Sequence, residues 1–264
     1  MDKTSSYVLF DNGEHKCIVF TSLVKGEGIQ ANQFLILDQD EGAIIDPGGD
    51  LTYSPLTYEI LRYTRLNKIK YVFGSHQDPD IITSMPRWLM HTQAKVVASK
   101  LWARFLPHLN SAFTSEKMQG NWEDRLIELP DEGQRLSLGK NEIYALPAHF
   151  LHSVGNFQFY DPIAKVIFTG DLGASITSTP EQAVTDFDAH IAKMRAFHQR
   201  YMCSNKILRY WVSMVRDMDV EMLIPQHGAP FKGKEMIAQF LDWLWDLECG
   251  IDLMEKRVFK CPVN

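Results

Sequence analysis

Short apolar runs that stop at metal-binding residues constrain this chain more than any other feature. The run Ile69–Phe73 ends in the loop Gly74-Ser75-His76-Gln77-Asp78-Pro79-Asp80. His152 stands just before the apolar run 157–160, Ile167-Phe168-Thr169 closes on Gly170-Asp171, and Leu223-Ile224-Pro225 closes on Gln226-His227. A compact apolar run bounded by polar residues is the pattern of a strand buried on both faces. Distant segments of the chain thus each deliver an imidazole or a carboxylate at a strand terminus.

The rest of the patterning supplies a scaffold for those termini. Short β-like runs bounded by turn residues predict strands over 7–10, 17–21, 33–37, 42–45, 69–73 and 95–98. Helical spacing covers 51–66, 81–91 and 100–109, followed by a polar, helix-poor stretch. The second half predicts strands over 126–129, 134–138, 142–146, 157–160, 165–169 and 222–225, and helices over 182–200, 206–218 and 234–248. Two strand-rich halves, each with its own helices, predict an α/β sandwich of two sheets with helices outside. At 264 residues, 45% of them hydrophobic, and without a repeat or linker, one domain over 1–264 is expected.

The net charge of −6 is scattered, with no basic stripe or charged tail, so neither nucleic acid nor an anionic membrane surface is an expected partner. Met1-Asp2-Lys3-Thr4-Ser5-Ser6 carries no basic stretch ahead of an apolar run, and no later window reaches membrane-spanning length without charge, which predicts a cytoplasmic protein. Cys17, Cys203, Cys249 and Cys261 lie far apart and form no C-x-x-C pair, so free thiols are expected rather than a disulfide framework or zinc knuckle.

His76, Asp78 and Asp80 occupy alternate positions of one turn, which lets a short backbone present several donors to a small volume. Pro79 stiffens the loop, and a cation would remove the repulsion between two neighbouring carboxylates. Taken alone, the loop reads equally as an Asp-rich turn whose carboxylates accept from backbone amides. His152, Asp171 and His227 at other strand termini shift the balance to metal. His91 falls about 15 Å along the predicted helix from residue 81, too far to join them. His149 and His152 would face opposite sides of an extended segment, so His149 is expected beside the cluster or at the surface. His15, His108, His190 and His198 have no motif context and are expected at the surface or partly buried. Phe150 and Tyr160 read as core, and Trp243 and Trp245 as packing or a surface for a second copy.

In order along the chain, Gln30-Ala31-Asn32-Gln33, Ile44-Ile45-Asp46-Pro47-Gly48, the His76 loop, His152-Ser153-Val154-Gly155, Phe168-Thr169-Gly170-Asp171 and Pro225-Gln226-His227-Gly228 resemble motifs of the metallo-β-lactamase superfamily. The resemblance implies that fold, a four-layer αββα sandwich. Zinc hydrolases of the superfamily usually carry His-x-His-x-Asp-His in the first loop. Asp78 stands at their second His, which resembles the flavodiiron branch with its His-x-Glu-x-Asp-His, and within it the smaller, flavodoxin-free oxygen-binding di-iron proteins. Carried over residue by residue, the resemblance implies two non-haem irons, one held by His76, Asp78 and His152, the other by Asp80 and His227, with Asp171 bridging. No catalytic residue distinct from these ligands is implied. Zinc and manganese are the alternatives, since imidazole and carboxylate bind them too.

The chain departs from the branch at Ile81, which stands at its second loop His and cannot coordinate, so an open position for O2, peroxide or NO is expected at the second metal. No Gly- or Ser/Thr-rich phosphate loop follows a strand, so no FMN is expected in this chain, and a separate redox or signalling protein is the expected partner. The expected function is a di-iron protein that binds and senses O2, or NO, or reduces it with an external electron donor. The rival is a zinc-dependent hydrolase using metal-bound hydroxide, which the fold alone permits.

Overall fold

A computed structural model describes residues 5–24, 26, 28–118, 120–255 and 258–261; the start of the segment read for a leader, residues 1–4, lies outside the described residues. The first sheet runs in sequence order: β1 (Ser6–Asp11), β2 (His15–Phe20), β3 (Gln33–Asp38), β4 (Glu41–Ile45), β5 (Ile69–Phe73), β6 (Lys95–Ser99) and β7 (Leu126–Leu129). Its first four strands pair antiparallel and its last four parallel. The second sheet contains β8 (Gln134–Leu138), β9 (Asn141–Pro147), β10 (Phe157–Asp161), β11 (Val166–Phe168), β12 (Met222–Ile224) and β13 (Phe231–Lys232), ordered β13-β12-β11-β10-β9-β8.

Side-chain alternation produces the layers. Cys17 and Val19 of β2 and Phe34 and Ile36 of β3 meet Phe157, Phe159 and Phe168 of the other sheet in one apolar cluster. Phe34 packs on Phe168 at 4.7 Å between centroids and Phe73 on Phe159 at 4.6 Å, which ties the sheets face to face. The intervening residues Ile18, Phe20 and Leu35 point the other way, onto Leu56 of α1 (Asp50–Ile60), Ile81 and Ile82 of α2 (Pro79–Ile82), and Trp88 of α3 (Met85–His91). The remaining short helices on this side are α4 (Lys100–Ala103), α5 (Ala112–Lys117) and α6 (Trp122–Arg125). The outer face of the second sheet carries α7 (Phe187–Tyr201), α8 (Asn205–Arg216) and α9 (Lys234–Asp246), packed through Met194, Trp211 and Phe240. The result is the predicted αββα sandwich.

Several boundaries differ from those predicted, and mostly for proline or capping reasons. The helix expected over 81–91 is two pieces because Pro86 has no N–H to continue the first, and starts the second instead. The helix expected over 100–109 breaks after Ala103, with Pro107 opening a 3-10 turn over Leu106–Leu109. The stretch expected to be helix-poor holds α5 and α6, started by Ser111 and Asn121 side chains that accept from backbone N–H groups. The helix predicted from 182 begins at Phe187, behind an Asp186 cap. The helix predicted over 51–66 stops at Ile60 and gives way to turns that lead into β5. Among the described residues, no helix is long and apolar enough to cross a membrane.

Candidate metal centre

The loops after β5, β11 and β12 and the loop before β10 meet at one end of the sandwich. His76, Asp78, His152 and Asp171 each offer an atom within 4.8 Å of the others. Asp171 sits between two groups of donors. Its Oδ2 lies 3.0 Å from His152 Nε2 and 3.8 Å from His76 Nε2, while its Oδ1 lies 3.4 Å from His227 Nε2. Asp78 Oδ2 is 3.7 Å from His76 Nε2 and 3.5 Å from His152 Nε2, and Asp80 Oδ2 is 3.4 Å from His227 Nε2. One carboxylate thus turns an oxygen to each of two neighbouring groups: His76, Asp78 and His152 on one side, Asp80 and His227 on the other.

Local hydrogen bonds orient the imidazoles. Asp46, fully buried after β4, accepts the backbone N–H of Ser75 at 2.8 Å and its hydroxyl at 2.9 Å. The same hydroxyl, its proton committed to Asp46, accepts from His76 Nδ1 at 2.9 Å, which leaves the lone pair on Nε2. His227 Nδ1 donates to the Gln30 carbonyl at 2.7 Å with the same consequence. Gly228, at φ 97°, lets the His227 loop press on Ser175, where a Cβ would lie 2.1 Å from the hydroxyl. From α7, Phe197 and Tyr201 set their rings edge-on to His152 at 6.2 and 5.6 Å, and His198 Nε2 accepts the N–H of Gly173, two residues beyond Asp171, at 2.9 Å.

Electrostatics show that this end of the molecule calls for positive charge. Burial opposes a charge on His152, yet Asp171 and Asp78 outweigh it and push the group up to about 9. Burial likewise opposes charge on His76, and Asp78 and Asp171 again raise it. His152 and His76 hold Asp78 well below the usual carboxylate range, and burial raises Asp46 to about 6. Buried His76 Nε2 and Asp171 Oδ1 have no hydrogen-bond partner at all. Unmet lone pairs of two donor types, buried and convergent, fit a cation, because leaving them bare costs on the order of 1–3 kcal/mol each. The residues present therefore fit a metal pair.

Every residue singled out in the sequence for this cluster is brought to it. Ile81 is not: it is fully buried in the apolar layer beneath α1 and offers no donor. His149 turns away to the Asp131 carbonyl at 2.8 Å, and His91 stacks on Tyr53. Phe150 is 42% exposed rather than core, whereas Tyr160 is core and its hydroxyl donates to the Asp219 carbonyl. Asp46, Ser75, Gln30 and His198 support the cluster without belonging to the predicted ligand set; Asp46 and Gln30 lie in motif segments of the sequence and Ser75 in the His76 loop, but no sequence pattern assigns them the hydrogen bonds they make.

The larger correction concerns histidines without motif context. His190 and His198, expected at the surface or partly buried, are buried; His198 donates to Met194 O through Nδ1, and burial lowers it to about 4. His15 is 1% exposed and stands between Asp38 and Asp161, with Cys17 beside them, at the opposite end of the sandwich. Its position at the start of β2 faces inward because residues 15, 17 and 19 share one side of the strand.

The fold matches those of known proteins. The structure matches a peroxy di-iron form of the chemotaxis sensor ODP with TM-score 0.84 and 36% identity, over 97% of this chain and 100% of that one. An apo state of chemotaxis sensor ODP from T. denticola matches with TM-score 0.83 and 37% identity, over 96% and 98% of the two chains. Rubredoxin:oxygen oxidoreductase from Desulfovibrio gigas shares the fold, with TM-score 0.72 and 14% identity over 91% of this chain and 61% of that one. Two uncharacterised proteins of Methanocaldococcus jannaschii are 20% identical over 82% of this chain and 23% identical over 77% of it. The chain spans about half the length of these curated relatives, 53% and 49%. A family model described as ODP family beta lactamase matches residues 29–228, from the loop before β3 to the glycine after His227, and the chain belongs to that family.

Proposed function

We propose that this chain is a non-haem di-iron protein that binds O2 and reports it to a signalling partner in the cytoplasm. The observation that carries the proposal is the convergence of His76 Nε2 and Asp171 Oδ1, buried and unpartnered, on the space faced by His152, His227, Asp78 and Asp80. The match to the chemotaxis sensor ODP in a peroxy di-iron form supports iron and O2. An all-nitrogen-and-oxygen donor set, with a carboxylate at Asp78, also suits iron. The thiols of Cys17, Cys203 and Cys249 form no disulfide, which fits a reducing compartment.

When bound, a pair of ferrous ions supplies the electrons and open coordination positions that O2 or NO chemistry requires. The chain's own residues prepare the site. His76, Asp78 and His152 would hold one ion, Asp80 and His227 the other, with Asp171 giving an oxygen to each. Ser75 and the Gln30 carbonyl keep the Nδ1 protons in place, so Nε2 of His76 and of His227 faces inward. With Ile81 in the apolar layer, the Asp80 side has fewer donors, and a small gas would enter there. Phe197 and Tyr201 pack edge-on against the His152 ring and help hold it in place.

The test is anaerobic loading of the full chain with ferrous iron, metal analysis, and absorption spectra before and after O2. Two irons per chain and a long-lived new band with negligible O2 turnover are expected. Sustained O2 consumption with an added redox partner would replace sensing by reduction. A protein that retains only zinc and hydrolyses a thioester or lactam would sink the proposal.

A further inference from the structure

We propose that His15 forms a proton-binding site between the two sheets, in which an imidazolium held by Asp38 and Asp161, and not a metal ion, closes the sandwich at the end opposite the metal centre. His15 Nδ1 lies 2.7 Å from Asp38 Oδ2 and Nε2 lies 2.6 Å from Asp161 Oδ2. A neutral imidazole has one N–H, so its other nitrogen would point a lone pair at a carboxylate oxygen at hydrogen-bond length. Only the doubly protonated ring donates to both.

The surrounding donors leave nothing for a metal to take. Asp38 Oδ1 accepts the Lys140 N–H at 2.9 Å, and Oδ2 also accepts Asn141 Nδ2 at 2.6 Å. Asp161 Oδ1 accepts the N–H groups of Ile163 and Ala164 at 2.9 and 3.2 Å, and Oδ2 accepts the Cys17 thiol at 2.9 Å. His15 Nε2, Cys17 Sγ and Asp161 Oδ2 are near enough to suggest a zinc site. Two donors on a tetrahedral zinc, at about 2.0 Å each from the ion, stand about 3.3 Å apart; 2.6 Å is a hydrogen bond. Complete burial and neighbouring Asp161 raise the Cys17 thiol well above its ordinary value, and its proton is the one Asp161 Oδ2 accepts.

The other charged groups nearby are engaged with one another. Glu14 pairs with Lys140, Lys16 with Asp11, and Glu41 with Lys70, while from β1 the neighbour of the ring is Phe10, at 6.1 Å between centroids. Burial opposes charge on His15, but Asp161 and Asp38 outweigh it and raise its proton affinity. The triad joins β2 and β3 of the first sheet to β10 of the second, so the proton is shared across the interface.

The test is a histidine ring-nitrogen NMR titration of the wild-type full chain from pH 6 to 9, assigned through the backbone so that no variant is needed. Both nitrogens of His15 are expected to remain protonated past the free-histidine value near 6.5, while His198 shows one protonated nitrogen throughout. A neutral His15 ring at pH 7 overturns the proposal. Cobalt(II) added in parallel gives no thiolate charge-transfer band on this account; such a band, lost in Cys17→Ser, would establish a metal site instead.

Discussion

At one end of the sandwich, imidazoles and carboxylates stand 3.0–3.8 Å apart and leave buried lone pairs unmet; at the other, the same groups close to 2.6–2.7 Å and none of their atoms is without a partner. The difference is one of backbone. His76, Asp78, Asp80, His152, Asp171 and His227 sit in loops or at helix starts, where several segments approach without a shared register. His15 and Asp38 are paired residues of adjacent strands, and Asp161 ends a strand of the facing sheet. Strand register brings the second group to hydrogen-bond contact, where a proton suffices. Loops hold the first group at the wider spacing an ion needs. A cluster of titratable residues is thus not by itself a metal site; the unmet lone pair is the better guide.

Removing the proton-filled cluster should have the largest effect. His15→Ala leaves two buried carboxylates facing each other and is expected to cost about 3–5 kcal/mol, measured by urea unfolding, with iron binding by the folded protein unchanged. A cost under about 1 kcal/mol would break the comparison. Ser75→Ala strips the support from His76 at the other end. It is expected to weaken iron binding about 10–100-fold while moving the stability of the metal-free protein far less, as read by competition with a chelator and by urea.

How far these two ends were legible in the sequence differs for the same physical reason. The motif loops announced themselves because ligand residues crowd a few positions after apolar runs, and the layered fold followed from strand and helix periods. His15 sits on an ordinary alternating strand, and its partners are 23 and 146 residues away. No local spacing marks such a pairing; only the register of β2 on β3 and the packing of β10 across them create it. His198 likewise carries no local signal, since its acceptor role depends on where α7 lands on the Asp171 turn. Pro86 and Pro107 lie within the helical spacing over 81–91 and 100–109, and the periodicity alone does not show where they divide it.

Two smaller effects sharpen the comparison. His198→Leu leaves the Gly173 N–H unpaired beside the Asp171 turn and is expected to cost about 1–3 kcal/mol by urea unfolding, with iron affinity reduced as well; His198→Gln, which can still accept, should recover part of both. The pH dependence separates the two ends. His15, His76 and His152 bind protons more tightly folded than unfolded, so their contributions are complete below about pH 6.5 and fade as pH rises through the folded values. Metal-free protein should therefore lose stability from pH 7 to 9. Iron should reverse this at the His76 end only, because metal displaces the same protons and its affinity rises with pH. Urea midpoints with iron and with chelator, taken across that range, check the sign.

The most direct measurement is an anomalous difference map at the iron edge from crystals of the anaerobically loaded protein. Two peaks are predicted at the loop end, one among His76, Asp78 and His152, the other between Asp80 and His227, with Asp171 reaching both, and no density at His15. A single peak, a zinc edge, or a peak beside Cys17 would contradict the account.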